Sequence, residues 1–516
     1  MFLTNVPVFV TSAVPGRESG RILGARQLLT GSAGGNIHAM PKSKSAMKYF
    51  MPGMLTAFLS ITCAGQEAGH ILQKEQITPK IDSLVGQYQD LDIFSGVVLV
   101  AEKGVPVYHK AFGLANRRTG KMNTLYTKFD IGSMNKSMTK VVVLQLVHEG
   151  KLHLGDHLGD HLDGFAAEAA DHVTIEHLLE HRSGFGDYHD PDFFELPKSE
   201  KNIAALLKRI RKMPLLFEPG TDQQYSNTGY VLLGAIIEKV TGKSFYQNVR
   251  ERIVEPLGMK ETYLVDKYAV PDRATGYFKT AKGELEDNEG FLEVPNPDGG
   301  FQSTASDMLV FYRAFHYGDR LWGDDTRQLD ELYPFYKQTA TTGGAVAHAG
   351  GFEGANTVHY EVLRDQISII VFANMDEPVA EQLGLGILTI IRGKEPSKPV
   401  LPAVQNVYKA CEEKGLAYVK EHFEPLTVNF HPTDPKDIIL NAVGYTYLRD
   451  GEVEKAIGVF TLNTEWFPDV ANVWDSLGEA LLAKGDREAS LASYKKALAI
   501  DPGYPSALEA VKKLER

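Results

Sequence analysis

Cysteine is scarce in this sequence. Only Cys63 and Cys411 occur among 516 residues, so the chain can form at most one disulfide bond. We therefore expect the fold not to depend on disulfides, and cysteine usage does not decide the compartment.

Positive charge is also in short supply, because 54 Lys and Arg oppose 66 Asp and Glu and give a net charge of −12. A protein that binds nucleic acid needs a basic face against phosphate, so the charge argues against that class.

Long apolar runs are missing too. The apolar run at residues 49–62 is interrupted by a Pro-Gly pair, and it is shorter than the roughly 20 residues that a membrane-spanning helix needs. Lysines precede this run and small residues follow it, beginning at Cys63, an order that is typical of a secretory signal peptide. Because such a signal starts a chain, we predict that residues 1–65 contain a mis-called start, with the true one at Met40 or Met47, and then the signal peptide.

This signal predicts a secreted or periplasmic protein. A lipid anchor at Cys63 stays open as a variant of that prediction. A mitochondrial presequence is the alternative, because Arg17, Arg21 and Arg26 lie in a segment that is poor in acidic residues.

The rest of the chain divides into three parts. Residues 75–393 show the pattern of strands at both ends of a long helical stretch. This order predicts an α+β fold, in which an antiparallel sheet flanked by helices is built from both ends of the domain and carries an inserted all-helical region. Residues 394–402 are proline-rich and polar, which predicts a linker. The predicted strands are 95–101, 106–112, 345–349, 357–363 and 367–373, and the predicted flanking helices are 77–88 and 379–391.

Residues 403–516 are predicted to be helical and contain a 34-residue repeat. Seven positions of residues 440–473 recur with similar residue types in residues 474–507; they are Leu440, Val443, Gly444, Tyr447, Ala456, Phe460 and Pro468. This period and pattern resemble the tetratricopeptide repeat. Two such repeats rarely stand alone, so we expect them to stack on helices from residues 403–423. They form either a groove for a protein or peptide partner or a packing appendage.

The first motif that carries chemistry is Ser-x-x-Lys. Of its four occurrences, the one at Ser133 follows an extended stretch and Gly132, at the predicted start of a helix. Free backbone N–H groups and the positive end of the helix dipole favour an oxyanion there. Lys136 shares the face of Ser133 and can accept its proton if burial disfavours the ammonium. Ser137, one turn into the helix, is expected to donate back to the backbone. The other occurrences begin at Ser45, Ser137 and Ser493.

The second motif is Tyr-x-Asn at Tyr225 and Asn227. It follows a turn and precedes a predicted apolar helix at residues 230–240. A phenol and an amide at such a loop tip can reach a nucleophile on another helix. Tyr225 could relay a proton, and Asn227 could hold Lys136.

The third motif is His-x-Gly at His348 and Gly350, followed by Gly351. It lies on a predicted strand edge, unlike the other histidine matches to this pattern. Paired glycines at a strand edge let a backbone N–H group approach a substrate closely.

In this order the three motifs resemble the serine β-lactamase and penicillin-binding-protein superfamily. Over residues 80–392 the chain is similar to the branch that contains class C β-lactamases, D-alanyl-D-alanine carboxypeptidases, D-aminopeptidases and related esterases. The resemblance implies a β-lactamase/transpeptidase-like fold. It also implies that Ser133 is the acylated nucleophile and that Lys136 and Tyr225 are its proton-transfer partners.

The resemblance further implies which residues contact substrate. Asn227 would orient groups in the site, and the backbone N–H groups of Ser133 and Gly351 would bind the oxyanion beside Gly350. The chain departs from many lactamases and carboxypeptidases at His348, where they have the lysine of Lys-Thr-Gly. An imidazole is a weaker partner for a carboxylate than a fixed ammonium. We therefore expect His348 to contact the substrate and uncharged acyl groups to be better substrates than β-lactams.

Together these features predict a serine hydrolase that forms an acyl-enzyme on Ser133 and hydrolyses an ester or amide, in the manner of an esterase or D-amino-acid peptidase. No cofactor, metal or nucleic acid is implied. Two alternatives stay open. One is a β-lactamase or D-alanyl-D-alanine carboxypeptidase. The other is an inactive hydrolase fold that binds a peptide through the repeats.

Two groups of histidines suggest metal sites, and we weigh them against simpler interpretations. His177, Glu180 and His181 match the inverted zinc-protease pattern, but a Ser-Gly pair follows them and favours a helix end that supports nearby loops. A second group recurs every four residues, but interleaved glycines favour a solvated loop over a metal site; its members are His153, His157 and His161.

Overall fold

The computed structural model describes most of the chain from Gln73 onward. The predicted signal peptide and Cys63 lie outside the described residues. Within the described part, no helix combines the length and the apolar character that crossing a bilayer requires. The described residues are 73–189, 193, 196–290, 294–318, 320–322, 335–430 and 435–516.

An antiparallel sheet forms the centre of the first domain. The described strands, in chain order, are β1 Gly96–Glu102, β2 Val105–Phe112, β3 Leu114–Asn116, β4 Lys121–Met122, β5 Phe129–Asp130, β6 Tyr277–Lys279, β7 Leu285–Asp287, β8 Gln302–Ser303, β9 Val346–Phe352, β10 Ala355–Val362 and β11 Ile367–Ala373. Five of them form the main sheet in the order β2-β1-β11-β10-β9. The two ends of the domain meet inside this sheet, where Gly96 pairs with Ala373. The predicted sheet built from both ends is therefore confirmed.

The central strands β1 and β11 are mostly apolar because both faces of the sheet are covered. On β1, Val97 and Leu99 face a core that the inserted helices complete, whereas Val98 and Val100 face a second core. The first and last helices of the domain cover this second core. Burial on two faces removes the polar alternation that a half-exposed strand would show.

Helices cover both faces of the sheet. They are Lys74–Asp90, Lys136–His148, Leu158–His161, Ala167–Ala170, Ile175–Leu179, Ile203–Ile210, Asn227–Thr241, Phe245–Val249, Glu255–Leu257, Ala305–Tyr317, Phe335–Thr342 and Val379–Ile391. The inserted region is mainly helical, as predicted, but two short ladders interrupt it, β5 with β8 and β6 with β7. Strands of two or three residues are too short to show an alternating pattern in the sequence.

The C-terminal part is helical throughout its described residues. Its helices are Ala403–Lys414, Leu416–Leu426, Asp437–Arg449, Val453–Trp466, Ala471–Lys484, Arg487–Ile500 and Pro505–Leu514. The helices that begin at Asp437 and Ala471 start 34 residues apart, so the sequence period corresponds to one pair of packed helices. This part contacts the first domain through an ion pair in which Lys282 Nζ lies 2.6 Å from Asp450 Oδ2.

Candidate active site

Ser133 lies on a tight turn where the inserted helices meet the sheet. The turn is a 3₁₀ segment, Gly132–Asn135, that leads into the helix Lys136–His148. Gly132 has a φ of +48°, and a Cβ at this position would lie 2.7 Å from the backbone nitrogen of Gly351. Glycine is therefore required at this position, both for the left-handed backbone and for the close approach of the strand.

Lys136 is the first neighbour of the Ser133 hydroxyl. Its Nζ lies 2.9 Å from Ser133 Oγ, and it also donates to Asn227 Oδ1 at 2.6 Å and to the carbonyl of Asp298 at 2.7 Å. The side chain is buried, and burial lowers the pKa of Lys136 to about 8, although the nearby carboxylates of Asp298 and Asp187 oppose this shift. A lysine with this pKa is partly neutral near pH 8 and can accept a proton.

Tyr225 is the second neighbour of the hydroxyl. Its phenol donates to Ser133 Oγ at 2.8 Å. Burial raises the pKa of Tyr225 well above its ordinary value, and the carboxylates of Asp187 and Asp298 raise it further, although the hydrogen bond to Ser133 opposes the shift. The phenol therefore keeps its proton in the free site. The ring stacks on His181 with 4.5 Å between ring centroids, which fixes its direction.

Asn227 holds Lys136 from the first turn of the helix Asn227–Thr241. Its Oδ1 accepts from Lys136, and its Nδ2 donates to Asp187 Oδ2 at 2.9 Å. Its backbone N–H donates to the same carboxylate oxygen at 3.0 Å. Since the carboxylate can only accept, Asp187 orients the amide so that its oxygen faces the lysine.

Two aspartates near Lys136, the partly buried Asp187 and the buried Asp298, were not predicted from the sequence. Asp187 also contacts His189 Nδ1 at 3.0 Å; burial raises its pKa, but the hydrogen bonds from His189 and Asn227 prevail and leave the pKa below its ordinary value. Asp298 accepts from Tyr188 at 2.9 Å, and burial raises its pKa. Single acidic residues in loops carry no motif, so no pattern in the sequence indicated them.

Gly350 and Gly351 lie on the edge strand β9, against the turn Gly132–Asn135. A Cβ at Gly350 would lie 2.2 Å from the carbonyl oxygen of Ile131 and 2.6 Å from the backbone nitrogen of Ser133. Thr357 on β10 stabilises this contact, because its hydroxyl lies 3.1 Å from the carbonyl oxygens of both Ile131 and Gly350. The structure thus brings the backbone nitrogens of Ser133 and Gly351 to one place.

The structure corrects the expectation for Ser137 and describes the surroundings of His348. His348 Nδ1 lies 3.3 Å from Ser137 Oγ, so the Ser137 hydroxyl faces the imidazole instead of bonding back to its own helix. The His348 ring packs against Tyr312 and two other histidines, and only 9% of the residue is exposed. Burial and the neighbouring histidines hold the pKa of His348 well below its ordinary value. The predicted contact of His348 with substrate stays a prediction.

The zinc-protease interpretation of His177, Glu180 and His181 does not hold. The helix Ile175–Leu179 ends before Glu180. His177 Nδ1 accepts from the N–H of Thr174 at 3.3 Å, and His181 Nδ1 accepts from the N–H of Ser226 at 3.2 Å. These histidines support loops, as the simpler interpretation predicted. In the second group, His153 has a side chain that is 77% exposed, as a solvated loop predicts. His161 instead ends the short helix Leu158–His161, is 15% exposed and lies 3.1 Å from Asp156 Oδ2.

Two solved structures share this fold, and in each case the superposition covers nearly the whole of the solved chain. A penicillin-binding protein from Bacillus halodurans superposes with a TM-score of 0.50 at 25% identity, over 60% of this chain and 98% of that one. A class C β-lactamase mutant superposes with a TM-score of 0.51 at 20% identity, over 63% of this chain and all of that one. The predicted β-lactamase-like fold is therefore confirmed.

Sequence relatives agree with this fold. Penicillin-binding protein 4* of Bacillus subtilis (strain 168) is 30% identical over 320 residues, which are 55% of this chain and 69% of that protein. A D-aminopeptidase of Brucella anthropi is 28% identical over 341 residues, 61% of this chain and 62% of the relative. Esterase EstB of Burkholderia gladioli is 30% identical over 250 residues, 44% of this chain and 61% of the esterase. The chain thus spans about three fifths of the last two relatives.

A family model decides the assignment that these relatives suggest. The model described as Beta-lactamase matches residues 81–388, which contain Ser133, Tyr225 and the strand β9 with Gly350. The match covers more than half of the chain and ends before the proline-rich linker. By this match, together with the shared fold, the chain belongs to the Beta-lactamase family.

Proposed function

We propose that this protein is a serine hydrolase that forms an acyl-enzyme on Ser133 and hydrolyses an ester or an amide. One observation carries the proposal. The Ser133 hydroxyl lies within 2.9 Å of Lys136 Nζ and 2.8 Å of the Tyr225 phenol, and both partners are set by buried hydrogen bonds and packing. A hydroxyl held between a partly neutral amine and a phenol is arranged for nucleophilic attack.

In the acylation step, neutral Lys136 takes the proton of Ser133 while Oγ attacks the carbonyl carbon. The protonated Tyr225 phenol then gives a proton to the leaving oxygen or nitrogen, and Lys136 returns its proton to the phenol. The C–O or C–N bond of the substrate breaks, and the acyl group stays on Oγ. Deacylation repeats the sequence with water as the nucleophile, so the site ends in its starting protonation state.

The developing oxyanion needs two fixed donors. The backbone nitrogens of Ser133 and Gly351 lie where the nucleophile turn touches β9, and they are the groups that we assign to this task. Removal of one such donor typically lowers the rate by about 10²–10³-fold. The close contact at Gly350 keeps the two donors at a fixed separation.

The substrate class follows from the charges around the site. His348 is buried and its pKa is held well below its ordinary value, so it offers no fixed positive charge to a substrate carboxylate. Similarity to an esterase and to D-aminopeptidases supports an uncharged acyl donor or a D-amino-acid amide or peptide. Similarity to a penicillin-binding protein supports a second candidate, a peptide that ends in D-alanine.

Intact-mass spectrometry tests the proposal. The full chain would be exposed to a short-chain p-nitrophenyl ester, a D-alanine p-nitroanilide, a D-alanyl-D-alanine peptide and a penicillin, and the added acyl mass would be mapped by peptide digestion. We expect acylation of Ser133 and turnover of the ester or the D-amino-acid amide. Turnover of the terminal dipeptide would favour the second candidate. Acyl mass on another residue, or on none, would contradict the proposed mechanism.

A further inference from the structure

Three imidazoles come together behind the edge strand. His316 lies in the last turn of the helix Ala305–Tyr317, His348 lies on β9, and His359 lies on β10 directly opposite His348 in the strand register. Each ring offers one nitrogen, and these nitrogens all lie within 4.8 Å of one another. The ring centroids are 5.4 to 5.9 Å apart.

Outer contacts turn two of these nitrogens inward. His359 Nε2 lies 2.9 Å from Glu361 Oε2. A carboxylate only accepts, so a neutral His359 carries its proton on Nε2 and its lone pair on Nδ1. His348 uses Nδ1 towards the Ser137 hydroxyl, which leaves Nε2 facing the cluster. Within the described part of the chain, neither His359 Nδ1 nor His348 Nε2 has a hydrogen-bond partner, although both are buried.

The carboxylate behind His359 is itself firmly held. Glu361 is fully buried, accepts from Ser368 Oγ at 2.6 Å and accepts from the Tyr317 phenol at 2.8 Å. A histidine whose far nitrogen donates to a held carboxylate is the arrangement found behind many metal ligands, because the carboxylate fixes the ring and increases its basicity.

We propose that His316, His348 and His359 bind a zinc ion through their facing nitrogens. Imidazole nitrogen suits zinc, whereas magnesium and calcium prefer oxygen ligands. Zn–N bonds of about 2.0–2.1 Å in a tetrahedron place the nitrogens about 3.3 Å apart, so the rings need to draw in by about 1.5 Å at most. Binding would satisfy the two buried nitrogens that have no hydrogen-bond partner in the apo cluster.

The ion would have a structural task. It would tie together the end of one helix and two neighbouring strands, one of which carries Gly350 and Gly351. The ligands do not touch the Ser133 hydroxyl, so the ion would not take part in proton transfer. It would instead hold the glycine-bearing strand at its place against the nucleophile turn.

Metal content and metal affinity of the full chain test this proposal. Protein purified without a histidine tag in the presence of zinc would be desalted and measured by elemental mass spectrometry; we expect about one zinc per chain. Protein stripped with a chelator would be titrated with Co²⁺, whose visible absorption reports tetrahedral nitrogen ligation. Thermal unfolding with and without zinc gives a readout that does not depend on activity.

Two variants locate the ion. His316→Gln removes one ligand from the least buried of the three positions, and we expect its zinc affinity to fall by at least about tenfold. The matched control, His153→Gln, removes an exposed histidine from the solvated loop and should bind zinc like the wild type. If His316→Gln does not fold, the Co²⁺ spectrum and the zinc-dependent melting temperature of the wild type decide the question.

Three results would overturn the proposal. They are wild-type protein without bound zinc and without a zinc-dependent rise in melting temperature, unchanged zinc affinity in His316→Gln, and a Co²⁺ spectrum of octahedral oxygen ligation. Each leaves the proposed hydrolase function untouched, because acylation of Ser133 is measured separately.

Discussion

The pH dependence of hydrolysis is the sharpest test of the role given to Lys136. Burial lowers the pKa of this lysine to about 8, so the neutral base is about one tenth of the population at pH 7, half at pH 8 and nine tenths at pH 9. Since attack requires the neutral form, kcat/KM for an uncharged ester should rise about tenfold from pH 7 to pH 9 and then level off. The rate rises with pH because deprotonation of Lys136 produces the active form of the enzyme.

The assay measures kcat/KM for a neutral ester, because that parameter reports the ionisation of the free enzyme. Ser133→Ala supplies the background of uncatalysed hydrolysis at each pH. Lys136→Arg should remove the rising limb and lower the rate by about 10²–10⁴-fold, since a guanidinium does not give up its proton in this range.

A second buried lysine provides the matched control. Burial also lowers the pKa of Lys140 to about 8, against the opposing charge of Glu180. Lys140→Met should therefore keep the rising limb if Lys136 is the base. A flat profile between pH 7 and pH 9, or a limb that disappears in Lys140→Met and survives in Lys136→Arg, would refute the reasoning.

Three further predictions concern the nucleophile, the glycine contact and the C-terminal helices. Ser133→Ala should abolish acyl labelling and leave the melting temperature near that of the wild type, whereas Ser137→Ala should still be labelled; equal labelling of both variants would contradict the assignment. Gly350→Ala should cost about 1–3 kcal/mol in unfolding free energy and most of the activity, because its Cβ would lie 2.2 Å from a carbonyl oxygen. Gly86→Ala is its control in denaturant titrations: nothing lies within 4 Å of the added carbon, and inside the helix Lys74–Asp90 the alanine should raise the unfolding free energy by about 0.5–1 kcal/mol. A chain that ends at Gly393 should keep some ester hydrolysis, and a folded but inactive fragment would show that the C-terminal helices help to build the site.

The sequence predicts the frame of the molecule well where physical signals are strong. The strand Ile367–Ala373 and the helix Val379–Ile391 have the predicted bounds, because an unbroken apolar run and a long helical period leave few alternatives. The nucleophile turn is also predictable, since the glycine before Ser133 and the helix after it restrict the backbone. The short strands β5 and β8 were not predictable, because only their pairing with each other makes them strands.

The parts of the site that were missed depend on contacts between distant residues. Asp187 and Asp298 lie in loops, and nothing local distinguishes them from solvated acids. The pairing of His348 with His359 could have been found, because a two-residue turn at Glu353-Gly354 fixes the register of the β9–β10 hairpin. The position of His316 beside these two histidines could not have been predicted, since it depends on how the helix Ala305–Tyr317 packs against the sheet.

The pairing of β1 with β11 has a consequence for how the chain is made. Gly96 finds its partner Ala373 only after nearly the whole domain has left the ribosome. Until then the Val-rich segment of β1 has one unpaired edge and two apolar faces without their covering helices. Contacts between such distant residues form slowly, and exposed strand edges of this kind associate with other chains. We therefore expect a chain that stops before residue 367 to leave this edge of β1 unpaired and to aggregate more readily than the full chain.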